Sequence, residues 1–342
     1  MSSKKTLTQA KGHSLALISA TIWGTTFIAT TFLLRYFQPI EIIVYRFILG
    51  IIALFIICPC GSGWKAFLSS SHRTRKTFGR CDKGIHSLDG SLVHKRGTTL
   101  KQELMLAGAG FAGITFYCIL EKTALNFTAA SNVGVIISTA PLFTALFAIR
   151  LLTNEKPKKN FYFGCIAALI GIFLISFSGA TVLSLNPLGD LMAVGAASAW
   201  GIFNILLKKI STFGHHAIQV NRRIFSYGLL FMVPLLWPMN FRLDIARLAN
   251  PVNLISILFL GLVASAFSFT IWNVAVNILG AVKTSIYIYI IPIVTVITSV
   301  LILGERITWM SALGIAFTLA GLVISEHKVA EKRPLIVNHD AD

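Results

Sequence analysis

Charge is what this sequence has least of. Only 13% of its 342 residues are Asp, Glu, Lys or Arg, about half the share found in a soluble globular domain. So little charge leaves no water-facing surface unless lipid covers most of the chain. Paired cysteines are missing too. Cys58, Cys60, Cys81, Cys118 and Cys165 are odd in number, scattered, and without zinc-finger spacing, which excludes a disulfide framework. His72, His86 and His94 lie near Cys81 but fit no recognised metal site. A phosphate loop is absent. The run Gly280 to Ser285 ends in Lys-Thr-Ser but lacks the glycine pattern that would precede it. ATP, metal and cofactor are therefore not expected. No His/Asp/Glu cluster lies at one end of the apolar runs, as a membrane-embedded enzyme would need, so the chain is not expected to be an enzyme. A channel is disfavoured for want of a ring of like charge or a carbonyl filter.

What the sequence has is apolar length. Hydrophobic residues make up 55% of the chain, and the mean hydropathy is +0.75. Runs long enough to cross a bilayer, about 20 residues each, fall at 13–34, 40–58, 104–120, 129–151, 161–177, 188–207, 217–237, 254–274, 281–303 and 308–324. Backbone groups in lipid must be satisfied within each span, so ten helices are expected. Alternating the spans from a cytoplasmic N-terminus leaves only Arg35, Lys122, Arg242, Arg247 and Arg306 on the outer side and Arg46 within a span. The rest of the 30 basic residues then face the cytoplasm. That skew orients the chain with both termini, 1–12 and 327–342, inside. It also accounts for the +17 net charge without nucleic acid. The polar, basic loop 61–101 has too few apolar residues to order itself, and disorder is expected there.

The spans repeat. Ala124 to Asn154 aligns with Ala275 to Glu305, placing Asn126 on Asn277, Pro141 on Pro292 and Thr144 on Thr295 at one constant offset. Gly12 to Gly24 aligns with Gly189 to Gly201, placing Trp23 on Trp200, and the same offset places Arg46 on Arg223. The two offsets differ because the basic loop is inserted in the first half only. Five helices followed by five similar ones makes the second set cross in the opposite sense. The fold expected is an all-α polytopic membrane protein of two inverted five-helix repeats, 13–178 and 186–326, with a binding site near the midplane.

Trp23-Gly24, the run Ala130-Ser131-Asn132-Val133 leading to Pro141, and Gly304-Glu305-Arg306 resemble the EamA-type branch of the drug/metabolite transporter superfamily. The resemblance covers nearly the whole chain and implies a ten-helix secondary transporter of the bacterial cytoplasmic membrane. Members often export amino acids or other small metabolites. The long basic loop departs from that pattern. The partners expected are a small-molecule substrate and the bilayer, with a homodimer left open. A sensor or scaffold acting through the basic loop is the alternative function.

Candidate site residues follow from the repeat. Pro141 and Pro292 break their helices and free a carbonyl one turn earlier. Ser138 and Thr139, and Tyr287 and Tyr289, precede them as candidate polar lining, although two tyrosines two apart cannot share a helix face. Trp23 and Trp200 are candidate gate or cavity walls. Asn204, Trp272 and Asn273 add polar groups at membrane depth. Arg46 can meet a substrate carboxylate bidentately or pair with Glu41 or Glu121. Glu121 and Arg223 are further candidates for ion pairing or coupling. Gly108, Gly110 and Gly113 suit close helix packing.

Overall fold

The computed structural model describes residues 2–58, 99–124, 126–128, 130–153, 155, 157–177, 186–303 and 308–326. Most of the basic loop, the tail 327–342 and Gly304-Glu305-Arg306 lie outside the described residues. Ten longer helices and a short 3₁₀ turn, Ile245–Ala249, run through the rest. The helices are α1 (Ser2–Leu33), α2 (Pro39–Ile57), α3 (Leu100–Ala124), α4 (Ala130–Ile137 and Ala140–Leu151), α5 (Lys159–Phe177), α6 (Pro187–Ser211), α7 (Ala217–Leu236), α8 (Pro251–Leu279), α9 (Ala281–Leu303) and α10 (Trp309–Glu326).

Local sequence sets the helix starts. Proline occupies the first helical position of α2, α6 and α8, behind Gln38, Asn186 and Asn250. There its missing N–H costs nothing. Asn186 and Asn250 cap with their side-chain oxygens. Thr99 and Gln102 cap each other reciprocally at α3. In α6, Asp190 stands in the first turn and Lys208 and Lys209 in the last, each matched to the helix dipole.

Eight of the helices are long and apolar enough to cross a membrane. The apolar stretch of α10, Trp309–Ser325, is shorter. Helix α7 is not among the eight because Asn221, Arg222 and Arg223 stand in its first half. Those cations are satisfied sideways, as charge at membrane depth must be. Arg222 Nη1 donates to the Cys58 carbonyl at 3.1 Å and its guanidinium lies over the Phe55 ring. Arg223 Nη1 donates to Glu103 Oε1 at 2.7 Å.

The duplication is visible as contacts made twice. Gly12 abuts Ile278 and Leu279, while Gly189 abuts Phe127 and Thr128. Gly24 abuts Val294, while Gly201 abuts Phe143 and Thr144. Each partner pair keeps the offset that relates the two prolines. Helices α5 and α10 pack backbone to backbone, Gly171 on Gly314 and Gly164 on Gly321, and a β-carbon at any of the four would strike the opposite main chain. Equivalent helices that meet antiparallel, each glycine on the other's counterpart, flank a pseudo-twofold axis. The two repeats are therefore inverted. Both breaks recur as well. Helix α4 is interrupted at residues 138–139 and α9 carries a 3₁₀ turn over Ile286–Tyr289. π-Helical turns occupy Phe111–Phe116 of α3 and Phe259–Phe267 of α8.

Packing does not follow the sequence halves. Helix α1 packs on α8 and α9, and α2 on α8. By the repeat, α6 packs on α3 and α4, and α7 on α3. One bundle is α1, α2, α8 and α9; the other is α3, α4, α6 and α7. Each takes two helices from each repeat, because each glycine notch is filled from the other repeat. The central interface lies between these interleaved bundles. The end of the molecule where α1 begins is called the near end, and the opposite one the far end.

Candidate functional site

Aromatic rings fill the middle of the bundle interface. Trp23 of α1 and Trp200 of α6 meet edge to face, with centroids 5.5 Å apart. Phe269 of α8 lies 5.1 Å from Trp23, and Trp272 lies 5.0 Å from it. Phe203 and Tyr117 flank Trp200 at 5.1 and 5.2 Å. Such pairs contribute about 0.5–1.5 kcal/mol each beyond the area they bury. The residues come from helices with small neighbours at the crossing: Gly24 and Gly201 follow the tryptophans directly and let α9 and α4 approach.

The indole nitrogens are treated unequally. Trp23 Nε1 donates to the Ala264 carbonyl at 3.0 Å. Trp272 Nε1 donates to Asn204 Oδ1 at 3.0 Å, and Asn204 Nδ2 donates to the Trp200 carbonyl. Trp200 Nε1 is buried with no hydrogen-bond partner. An unmet buried donor costs roughly 1–3 kcal/mol, so its presence at the centre marks a place where a ligand acceptor would be welcome.

Arg46 of α2 lies on the far-end side of this cluster. Its Nε donates to Ser265 Oγ at 3.0 Å, its guanidinium stands 5.2 Å over the Phe47 ring, and Tyr117, Cys118 and Glu121 of α3 face it. Among the described residues the Ser265 bond is the only hydrogen bond Arg46 makes. The structure gives it neither of the ion pairs the sequence suggested. Glu41 is fully buried and belongs to Arg247, which reaches both carboxylate oxygens at 3.1 and 3.2 Å. Backbone N–H groups of Gln38 and Arg242 complete that carboxylate's shell. The Arg247 pKa is raised, chiefly by this hydrogen bonding to Glu41. Glu121 pairs with its neighbour Lys122 at 3.4 Å. Arg223 pairs with Glu103, whose other oxygen accepts from Tyr227 at 2.9 Å.

The residues before the prolines are placed differently from the lining the sequence suggested. Ser138 Oγ donates to the Gly134 carbonyl at 2.7 Å and Thr139 Oγ1 to the Ile136 carbonyl at 2.6 Å. Both hydroxyls are folded back on their own helix at the break ahead of Pro141. Tyr287 bonds His13 of α1, 2.7 Å from Nδ1. Tyr289 is fully buried, with its hydroxyl beside Cys165 of α5. Tyr287 and Tyr289, two apart in the 3₁₀ turn ahead of Pro292, point to different neighbours. Asn273 joins Asn221 at 3.4 Å, and Asn221 donates to Thr270 Oγ1 at 3.1 Å.

The polar bonds that join the bundles share one location. Trp272 to Asn204, Asn221 to Thr270, Arg222 to the Cys58 carbonyl, and Lys208 Nζ to the Asn277 carbonyl at 3.1 Å lie between the tryptophan pair and the near end. On the far-end side, Gly134 of α4 has open space where a β-carbon would stand. Sequence reading missed Tyr117, Ser265, Phe269 and His13. None has a like residue at its repeat-related position, so the duplication could not point to them.

Comparison with known proteins gives the same outline. The model of the EamA-like transporter family matches residues 10–177 and 187–325. An uncharacterized transporter of Archaeoglobus fulgidus is 22% identical over 93% of this chain and 98% of its own. The uncharacterized transporter YoaV of Bacillus subtilis is 24% identical over the same shares. A probable terminal-alkyne amino-acid exporter of Streptantibioticus cattleyicolor is 24% identical over 67% of this chain and 75% of its own. A solved crystal structure superposes with a TM-score of 0.66 over 93% of this chain and 96% of that one, at 13% identity, which shows a shared fold.

Proposed function

The chain belongs to the EamA-like transporter family, and on that footing we propose that it exports a small carboxylate-bearing metabolite, such as an amino acid, by alternating access. It is a multi-pass membrane transporter. The membrane in this reading is a bacterial cytoplasmic membrane with both termini inside. The observation that carries the substrate reading is Arg46. Its guanidinium is held by one bond to Ser265 and leaves its terminal nitrogens available, beside Tyr117 and the far-end side of Trp200. A carboxylate there would complete two N–H bonds in the bidentate geometry arginine favours, and the aromatic cluster would cover an apolar body. The probable terminal-alkyne amino-acid exporter among the relatives supports the same substrate class.

In this orientation the near end is cytoplasmic, and the polar bonds between the bundles gather on that side. Opening the near end while closing the far end would exchange the roles of the two related bundles, as inverted repeats allow. With no phosphate loop, the energy source is a gradient or the substrate's own downhill flow. All groups invoked come from one chain, so the reading needs no second copy.

The test is flux of a panel of amino acids in proteoliposomes, with and without an imposed proton gradient. A charge-assisted hydrogen bond contributes about 1.5–3 kcal/mol, so Arg46→Gln is expected to raise KM roughly tenfold or more. Arg46→Lys should recover part of that, and Trp200→Ala should also cut flux. Transport of a detected substrate with unchanged KM in Arg46→Gln would overturn the carboxylate role.

A further inference from the structure

Glu155 stands just past the end of α4, outside every group assigned above, yet it touches three elements. Its Oε2 accepts the Val282 N–H at 3.2 Å, and its Oε1 lies 3.8 Å from Lys208 Nζ of α6. Gly280, between α8 and α9, has φ +93°, and a β-carbon there would lie 2.5 Å from the Glu155 carboxylate. Only glycine meets both demands, the left-handed backbone and the close approach. Lys208 in turn donates to the Asn277 carbonyl at the end of α8. One carboxylate and one ammonium thus tie α4 and α6, in one bundle, to the α8–α9 corner of the other.

We propose that Glu155 is the near-end latch: its carboxylate, seated on Gly280 and Val282 and held by Lys208, keeps this end of the bundle interface shut. The proposal rests on the reading of the two bundles as bodies that move against each other. The contact sits where such a latch has leverage. It closes the rim beyond the aromatic cluster, with Lys208 eight residues past Trp200 along α6, and it crosses between bundles, whereas the Glu103–Arg223 pair stays within one. An open basic groove of about 550 Å³ lies beside it, lined by Lys101, Gln102, Lys208, Lys209 and Thr212 among others. Water is therefore at hand to solvate the carboxylate and the ammonium once they part, which keeps release inexpensive. Lys209 and Lys101 are the other charged groups lining that groove.

Hydrogen–deuterium exchange on the purified full-length protein tests the latch without any substrate. In Glu155→Ala, amides of residues 281–289 and 205–211 should exchange on the order of tenfold faster. Those of α5 and α10, which the latch does not touch, should be unchanged. Glu155→Gln, which keeps an acceptor for Val282 N–H but loses the ion pair, should fall between. If Glu155→Ala does not yield monodisperse protein, Lys208→Met carries the same expectation. Unchanged exchange at 281–289, or a rise spread evenly over all helices, would overturn the proposal. Because no transport is measured, failure here leaves the carboxylate reading of Arg46 standing, and failure there leaves the latch standing.

Discussion

Buried charge in this protein is divided by what surrounds it. Glu41 has four donors around it and no exposure: two guanidinium nitrogens of Arg247 and the backbone N–H groups of Gln38 and Arg242. It is a fixture. Arg46 has one hydrogen bond and an open fork, which is what a binding group needs. Removing one member of a buried pair costs about 3–5 kcal/mol, since the other is left charged and unmet. Arg247→Ala should therefore lower the detergent melting temperature markedly, while Arg46→Gln leaves it nearly unchanged. Equal losses in the two variants, read by a thermal-shift assay, would contradict this division. Sequence alone drew Arg46 toward Glu41 or Glu121 because all three fall at a similar outer depth. It could not see Arg247, which reaches Glu41 from 206 residues away.

At the scale of elements, glycine decides which helices touch. Helices in lipid gain nothing from burying apolar area against one another, so close backbone approach and dispersion must hold them. Gly164 and Gly171 against Gly314 and Gly321 give α5 and α10 that approach. Gly171→Leu or Gly314→Leu should force the pair apart and destabilise the fold by about 1–3 kcal/mol or more. The same change at Gly108, whose nearest neighbour is a leucine methyl at 3.6 Å from a would-be β-carbon, should cost much less. Parity between Gly171→Leu and Gly108→Leu in thermal unfolding would sink this account. The prolines were legible as breaks, but the use made of them was not. A hydroxyl one turn before a proline, such as Ser138, can line a cavity or bond its own carbonyl, and only the neighbours decide.

For the whole molecule, orientation follows from the basic residues and is open to direct measurement. Epitope tags at residue 1 and residue 342 should both resist protease added outside intact cells and both be cut after permeabilisation. A tag digested from outside would reverse or break the proposed topology. Composition, run length and the doubled Trp-Gly and proline registers settled class, helix number and inversion, because periodic apolarity and repetition are properties of the chain itself. The division into bundles of α1, α2, α8, α9 and α3, α4, α6, α7 was decided only in three dimensions. So were the unmet Trp200 N–H, the open fork of Arg46 and the seat of Glu155 on Gly280. Each of these depends on which distant helix fills a given notch, and packing between side chains hundreds of residues apart leaves no periodic trace in a single sequence.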